Sequence, residues 1–179
     1  MISHPFELLP FPDPNIPEVR ITGQIEHEGS LLTVLYSLSG RIDDILLPAP
    51  NPQPGRKVNL WLGTCFEFFL ALPDQPHYWE FNFSPSCDWN VFHMDAYRRA
   101  GFREEESIRN PCLEIRNEHD CFELEAAVDI SPIIQAETRV LMGVTSVIRS
   151  HNRQETYWAL THPQPQADFH LRESFILTL

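Results

Sequence analysis

Two runs of residues between Trp61 and Phe102 place apolar side chains at every second position. The alternating positions are Phe66, Phe68, Leu70 and Leu72 in the first run, and Trp79, Phe81 and Phe83 in the second. Successive side chains of a β-strand point to opposite faces of a sheet, so this period predicts two strands that each turn one face to a hydrophobic core. The opposite face carries Glu67, Glu80 and Asn82. These three polar side chains are therefore the first candidates for a functional site.

The rest of the chain repeats this strand pattern and shows no long helical period. Strands are predicted over 19–27, 31–39, 64–72, 77–84, 87–94, 112–116, 121–130, 140–149, 155–160 and 175–179. The 16 prolines interrupt helices and mark loops, most densely in 46–60. We predict an all-β fold, an antiparallel β-sandwich of immunoglobulin-like or jelly-roll-like type with long Pro-rich loops. A closed barrel is the alternative, but the uneven strands and the long loops at 46–60 and 161–173 favour the sandwich.

A length of 179 residues suits one domain, and nothing in 1–179 resembles a linker between two. The first 17 residues are rich in proline and are expected to lie extended over the surface. A short helix is expected within 131–139, with Ser131 as N-cap and Pro132 at the first helical position. The alternating pattern predicts near-complete burial of Phe68, Leu70, Phe81, Phe83 and Val144.

Charge and targeting signals limit the classes of partner. The net charge of −12, with no basic patch to offset it, argues against nucleic acid and against an anionic membrane. No signal peptide and no apolar run of transmembrane length is recognisable, so a cytoplasmic location is expected. The cysteines at 65, 87, 112 and 121 show no zinc spacing and are expected to be free thiols.

Several chemistries remain open for the polar face. Glu67 and Glu80 would lie close together on neighbouring strands, which is one requirement of a glycoside hydrolase. No nucleophile elbow and no Gly-rich phosphate loop is present. His162, Asp168 and His170 share one loop and are the best metal candidates, with calcium as a further possibility. Haem binding would need Met94 or Met142 to meet His93 or His162 across an apolar pocket.

Three motifs resemble the DOMON-like domains related to family 9 carbohydrate-binding modules. They are Glu67-Phe68-Phe69-Leu70, Phe81-Asn82-Phe83-Ser84-Pro85 and Phe169-His170-Leu171-Arg172-Glu173-Ser174-Phe175, in the order that the family shows. The resemblance implies a β-sandwich with a ligand cleft, in which related domains bind sugars and some bind haem. It also implies that Trp61, six residues before Glu67, helps to sandwich a sugar.

These observations predict a non-catalytic module that binds a small saccharide or glycan. Trp61 and Trp158 would stack on the ligand, and Glu67, Asn82 and Arg98 would form hydrogen bonds with it. Trp89, His162 and His170 are possible further cleft residues. Glu67 has two possible roles, a ligand clamp or a buried ion pair with Arg98. The competing classes are a haem- or metal-binding domain and a protein-interaction module whose cleft holds a peptide.

Overall fold

The computed structural model describes residues 2–97 and 102–179. The strands are β1 (Ile2–Pro10), β2 (Val19–Glu28), β3 (Leu31–Gly40), β4 (Cys65–Ala71), β5 (Tyr78–Phe83), β6 (Trp89–Met94), β7 (Phe102–Glu104), β8 (Cys112–Glu118), β9 (Cys121–Asp129), β10 (Leu141–Arg149), β11 (Glu155–Ala159) and β12 (Leu177–Thr178). Short 3-10 helices cover Ile42–Asp44, Leu60–Leu62 and Arg172–Ser174. None of the helices in the described residues is long and apolar enough to cross a membrane.

The strands form an all-β, antiparallel sandwich, as the alternating pattern predicts. One half has the strand order β1-β2-β3-β9-β8, and the other has β7-β6-β5-β4-β10-β11-β1, with β12 beside β10. In the second half Phe68 pairs with Phe81 on β5 and with Val144 on β10. The two halves bury one hydrophobic core between them. Phe68, Leu70, Phe81, Phe83 and Val144 all have 0% exposure, so that prediction is confirmed.

The N-terminal segment is extended, and its first part, β1, is a strand of the sandwich that contributes to the core, while 12–15 are exposed at the surface. Residues 2–8 of β1 pair with β2, and Leu9 and Pro10 pair with β11. Phe6 and Leu8 are buried in the core. The prolines of this segment misled the prediction, because a strand accepts proline wherever its ladder does not need the missing N–H group.

The segment 131–139 forms turns and not the expected helix. The Asp129 carboxylate accepts a hydrogen bond from the Ser131 backbone N–H at 2.9 Å, which makes a local turn. Glu137 has a φ of 63°, a left-handed conformation that a helix cannot contain. Ile134 is buried in the core, so tertiary packing outweighs a weak local preference for helix.

Candidate functional site

The outer face of the second half-sandwich, turned away from the core, forms the floor of a cavity of about 600 Å³. Side-chain alternation places on this floor Glu67 and Phe69 of β4, Tyr78 and Glu80 of β5, Phe92 and Met94 of β6, Val147 of β10, and Glu155 and Tyr157 of β11. The core needs only every second residue of each strand, and the sequence fills the remaining positions with aromatic and acidic side chains. This is the face that carries the polar residues singled out above.

Loops supply the walls of the cavity. Trp61 and Leu62 come from the 3-10 helix Leu60–Leu62, Ala96 and Phe102 flank the β6–β7 connection, and residues 167–170 come from the loop after β11. The Trp61 ring meets the Phe92 ring edge-on with centroids 5.7 Å apart, and Tyr157 meets Phe169 in the same way at 5.9 Å. Flat aromatic surfaces therefore line more than one side of the cavity.

A second, smaller apolar cluster holds the C-terminal segment onto the outer face. It consists of Phe69, Ala71, Tyr78 and Phe175, and the rings of Phe69 and Phe175 stack at 5.4 Å. Phe175 fits because Gly143 has no side chain, since a Cβ there would lie 2.7 Å from the Phe175 ring. This contact fixes the end of the loop that carries residues 167–170.

Glu67 and Glu80 form a buried carboxylate pair at the floor. Their strands are neighbours, with Glu67 opposite Asn82 and Glu80 opposite Phe69, and their side chains are almost fully buried. Glu67 Oε2 accepts a hydrogen bond from Thr145 Oγ1 at 3.2 Å, and Glu80 Oε1 accepts one from Asn82 Nδ2 at 2.9 Å. Glu67 Oε1 is buried and accepts no N–H or O–H hydrogen bond from the described residues, and the thiol of Cys65 is a weak donor beside this carboxyl group.

Burial governs the ionisation of this pair. It raises the pKa of Glu67 from 4.5 to about 8, with the negative charge of Glu80 as the second cause. Burial also raises the pKa of Glu80 to about 7, opposed by the hydrogen bond from Asn82. The two carboxyl groups therefore titrate together near neutral pH, where the pair retains roughly one proton.

The structure brings only some of the predicted site residues together. Trp61, Glu67 and His170 line the cavity, and the ring of His170 lies 2.9 Å from the Tyr78 hydroxyl through Nδ1. Asn82 does not line the cavity. It is fully buried and bonds Glu80, so it positions a floor residue instead of facing a ligand. Arg98 lies in 98–101, outside the described residues.

Trp158 and Trp89 belong to the core and not to the cleft. On β11, Trp158 lies opposite Ser146 on the core side, and its indole N–H donates to Thr156 Oγ1 at 3.0 Å. Trp89 is buried in the same core, with the Arg56 guanidinium 4.4 Å from its ring centroid. The choice of Trp158 as the second stacking ring was wrong by one residue, because strand alternation turns its neighbour Tyr157 into the cavity.

The proposed metal and haem ligands do not converge. His162 Nε2 lies 2.8 Å from the carbonyl oxygen of Leu9 and does not line the cavity. Across residues 2–97 and 102–179, no group of three or more His, Cys, Asp or Glu side chains is arranged to hold a metal ion. Met94 faces the cavity while His93, the next residue on β6, stacks on His77, and Met142 lies in the core.

Sequence reasoning missed most of the aromatic lining. The overlooked residues are Phe69, Tyr78, Phe92, Phe102, Tyr157 and Phe169. For the residues within long strands, alternation predicts the outward direction, because each stands one or three positions from a residue that faces the core. Phe102 begins the short β7 and Phe169 lies in a connecting segment, and no short-range pattern predicts how either approaches the sheet.

Comparison with known proteins shows similarity at the level of the fold. No protein-family model and no curated protein matches the chain. A crystal structure of a "putative carbohydrate-binding protein" from Bacteroides uniformis is similar with a TM-score of 0.69 and 13% identity, over 97% of this chain and 83% of that chain. A family 9 carbohydrate-binding module from Caldicellulosiruptor kristjanssonii, solved with glucose, gives a TM-score of 0.46 and 12% identity, over 82% of this chain and 69% of that chain.

Proposed function

We propose that this protein is a non-catalytic carbohydrate-binding module of DOMON-like type, related to family 9 modules, that holds a small saccharide or the end of a glycan in the cavity. The observation that carries this proposal is the cavity floor, where two buried carboxyl groups lie among aromatic rings. A sugar has C–H faces that need flat apolar surface and hydroxyl groups that need directed acceptors, and this floor offers both.

Two further observations support the proposal. Two of the three sequence motifs that resemble the family contribute to the cavity lining: the first contains Glu67 and Phe69, and the third contains Phe169 and His170. The second contains Asn82, which donates a hydrogen bond to Glu80 beneath the floor. The fold is shared with the "putative carbohydrate-binding protein" from Bacteroides uniformis. In this proposal Trp61 and Tyr157 present their rings to the ligand, and Glu67 and Glu80 form its hydrogen bonds.

Glycoside hydrolysis is the second candidate, and the raised pKa of the carboxylate pair favours it, since a general acid must keep its proton near neutral pH. Against it, Glu67 and Glu80 lie on adjacent strands of one floor, whereas hydrolases place their carboxyl groups on either side of the scissile bond. Release of nitrophenol from a panel of nitrophenyl glycosides would support hydrolysis and contradict a purely binding role.

The test of the proposed function is direct binding. Isothermal titration calorimetry with common monosaccharides, after a glycan-array screen, should detect a ligand for the wild-type protein. Trp61→Ala should weaken that binding about tenfold or more, because a stacking surface is lost, while Trp61→Phe should retain most of it. Wild-type protein that binds no glycan on the array and no monosaccharide would overturn the proposal.

A further inference from the structure

One buried carboxylate oxygen of the cavity lining lacks a strong hydrogen-bond donor, and this indicates the chemistry of a ligand that could supply one. Glu67 Oε1 accepts no N–H or O–H hydrogen bond from the described residues, and Glu67 is only 2% exposed and lines the cavity. An unpaired carboxylate oxygen in such a place is costly. A ligand that supplies a donor to this oxygen removes that cost, and a positively charged donor does so most strongly.

The charges around the cavity favour a cation. Its lining contains Glu67, Glu80, Glu155 and Asp168, and no Lys or Arg among the residues that the structure describes. Two of these carboxylates are already engaged: Glu155 lies 3.6 Å from Arg149 Nη1, and Asp168 accepts hydrogen bonds from the Tyr97 hydroxyl and the His170 backbone. Among these four residues, Glu67 has the buried carboxylate oxygen that accepts no N–H or O–H hydrogen bond from the described residues.

The aromatic lining also favours a positively charged ligand. The Trp61 and Phe92 rings come from one side of the cavity and the Tyr157 ring from the other side of Glu67, on β11. The face of an aromatic ring attracts a cation, and attraction increases when the cation loses water. Aromatic rings around a carboxylate therefore suit an ammonium group attached to a sugar ring.

We infer that the ligand is a saccharide that bears a protonated amine, an amino sugar whose ammonium group donates to Glu67 Oε1. This inference rests on the proposed function and narrows its ligand. Because the pair is partly protonated near neutral pH, a bound ammonium group should displace its remaining proton to solvent. A neutral sugar has no such requirement, so proton release separates the two cases.

The experiment compares D-glucosamine with D-glucose and N-acetyl-D-glucosamine at about pH 6.5, where the amine is protonated. Buffers with amine groups are avoided, since they would compete for the site. Calorimetry should show glucosamine binding about tenfold or more tightly than either neutral sugar. A pH indicator in weakly buffered solution should report protons released with glucosamine alone.

Substitutions locate the effect. Glu67→Gln should remove the preference for glucosamine and its proton release, and Glu80→Gln should weaken both. Glu114→Gln, an exposed glutamate on β8 of the other half-sandwich, is the matched control and should keep both. A preference that survives unchanged in Glu67→Gln would overturn the assignment of the ammonium group to this residue.

The outcomes separate the inference from the proposed function. If glucose or N-acetylglucosamine binds as tightly as glucosamine, saccharide binding stands and the amino-sugar inference is overturned. n-Butylamine is titrated as a probe that has an ammonium group but no sugar ring. If the wild type binds it, Glu67→Gln does not, and no sugar binds, an ammonium subsite exists but the saccharide function is overturned. Failure of every one of these probes overturns the inference directly.

Discussion

Glu67 is a charged-type residue in β4, a strand whose seven residues are all buried. Two hydrogen bonds hold it in place: the Thr145 hydroxyl donates to one carboxylate oxygen, and the Glu67 backbone carbonyl accepts one from the Tyr36 hydroxyl at 2.7 Å. The backbone of Glu67 is therefore fixed by the fold, while its side chain lines the cavity.

The burial of the carboxylate pair makes stability depend on pH in a defined direction. Both glutamates have an ordinary pKa of 4.5, and in the folded protein burial raises the pKa of Glu67 to about 8 and that of Glu80 to about 7. Between about pH 4.5 and about pH 8 the folded state binds more protons than the unfolded state. The stability that comes from the protonated carboxyl pair is therefore fully present below about pH 4.5 and is lost as the pH rises through about 8.

We expect the melting temperature of the wild type to fall between about pH 5 and about pH 8.5, and the fall to be smaller for Glu67→Gln, which mimics the protonated form. At about pH 8.5 the variant should be more stable than the wild type by several kcal/mol. Differential scanning calorimetry across this range makes the measurement, with Glu114→Gln as control. A variant about 3–5 kcal/mol less stable than the wild type would instead indicate the buried ion pair considered for Glu67 and Arg98.

Single residues of the site were predictable where strand alternation alone decides their side. Glu67 and Glu80 follow from the apolar residues on either side of them, and the structure places both on the outer face. The prediction of Trp158 as a cleft residue rests on its position beside a strand end, which resembles a stacking platform. Its position relative to Thr156 and Tyr157 would have assigned it to the core.

At the scale of elements, the sequence predicts strands well where one face is apolar and the other is not. The expected strand over 64–72 is observed as Cys65–Ala71, and the one over 140–149 as Leu141–Arg149. Prediction failed where long-range packing decides. Three prolines, Pro5, Pro10 and Pro12, lie in or just after β1. Within the described residues, the short β7 pairs with β6 at the edge of the sheet. Neither has a local signal stronger than its loop-like composition.

Gly143 makes room for Phe175, which anchors the C-terminal end of the loop that carries 167–170 of the cavity wall. Phe175 occupies the space above Gly143, stacks on Phe69 and is 3% exposed. Gly143→Ala should push this ring away, lower the free energy of unfolding by about 1–3 kcal/mol, and loosen residues 167–170 at the cavity wall. Urea unfolding measures the first effect, and saccharide affinity measures the second.

Gly55→Ala is the matched control, because a Cβ at Gly55 meets nothing within 4 Å. It should leave the stability unchanged or raise it slightly, since alanine reduces the entropy of the unfolded chain. If Gly143→Ala and Gly55→Ala lose the same stability, the close contact between Phe175 and Gly143 does not contribute to the free energy of unfolding.

At the scale of the whole molecule, β1 belongs to both halves of the sandwich. It pairs with β2 over residues 2–8 and with β11 through Leu9 and Pro10. The Tyr36 hydroxyl on β3 adds a buried hydrogen bond to Glu67 on β4, across the core. If 1–179 is one domain, the two halves joined in this way should unfold together in a single cooperative transition.

Leu8 and Leu9 test that cooperativity as neighbours in one strand. Leu8 is 2% exposed and packs in the shared core, whereas Leu9 is 54% exposed. Leu8→Ala should lower the free energy of unfolding by about 2–5 kcal/mol, and Leu9→Ala by less than about 0.5 kcal/mol.

Two spectroscopic signals report the unfolding of the halves. The four tryptophans all lie in or beside the half that contains β4, so their fluorescence reports that half, while far-ultraviolet circular dichroism reports both. In urea the two signals should change in one transition, and Leu8→Ala should move both midpoints equally. If the fluorescence and dichroism curves separate, the halves unfold independently and β1 does not unite them into one domain.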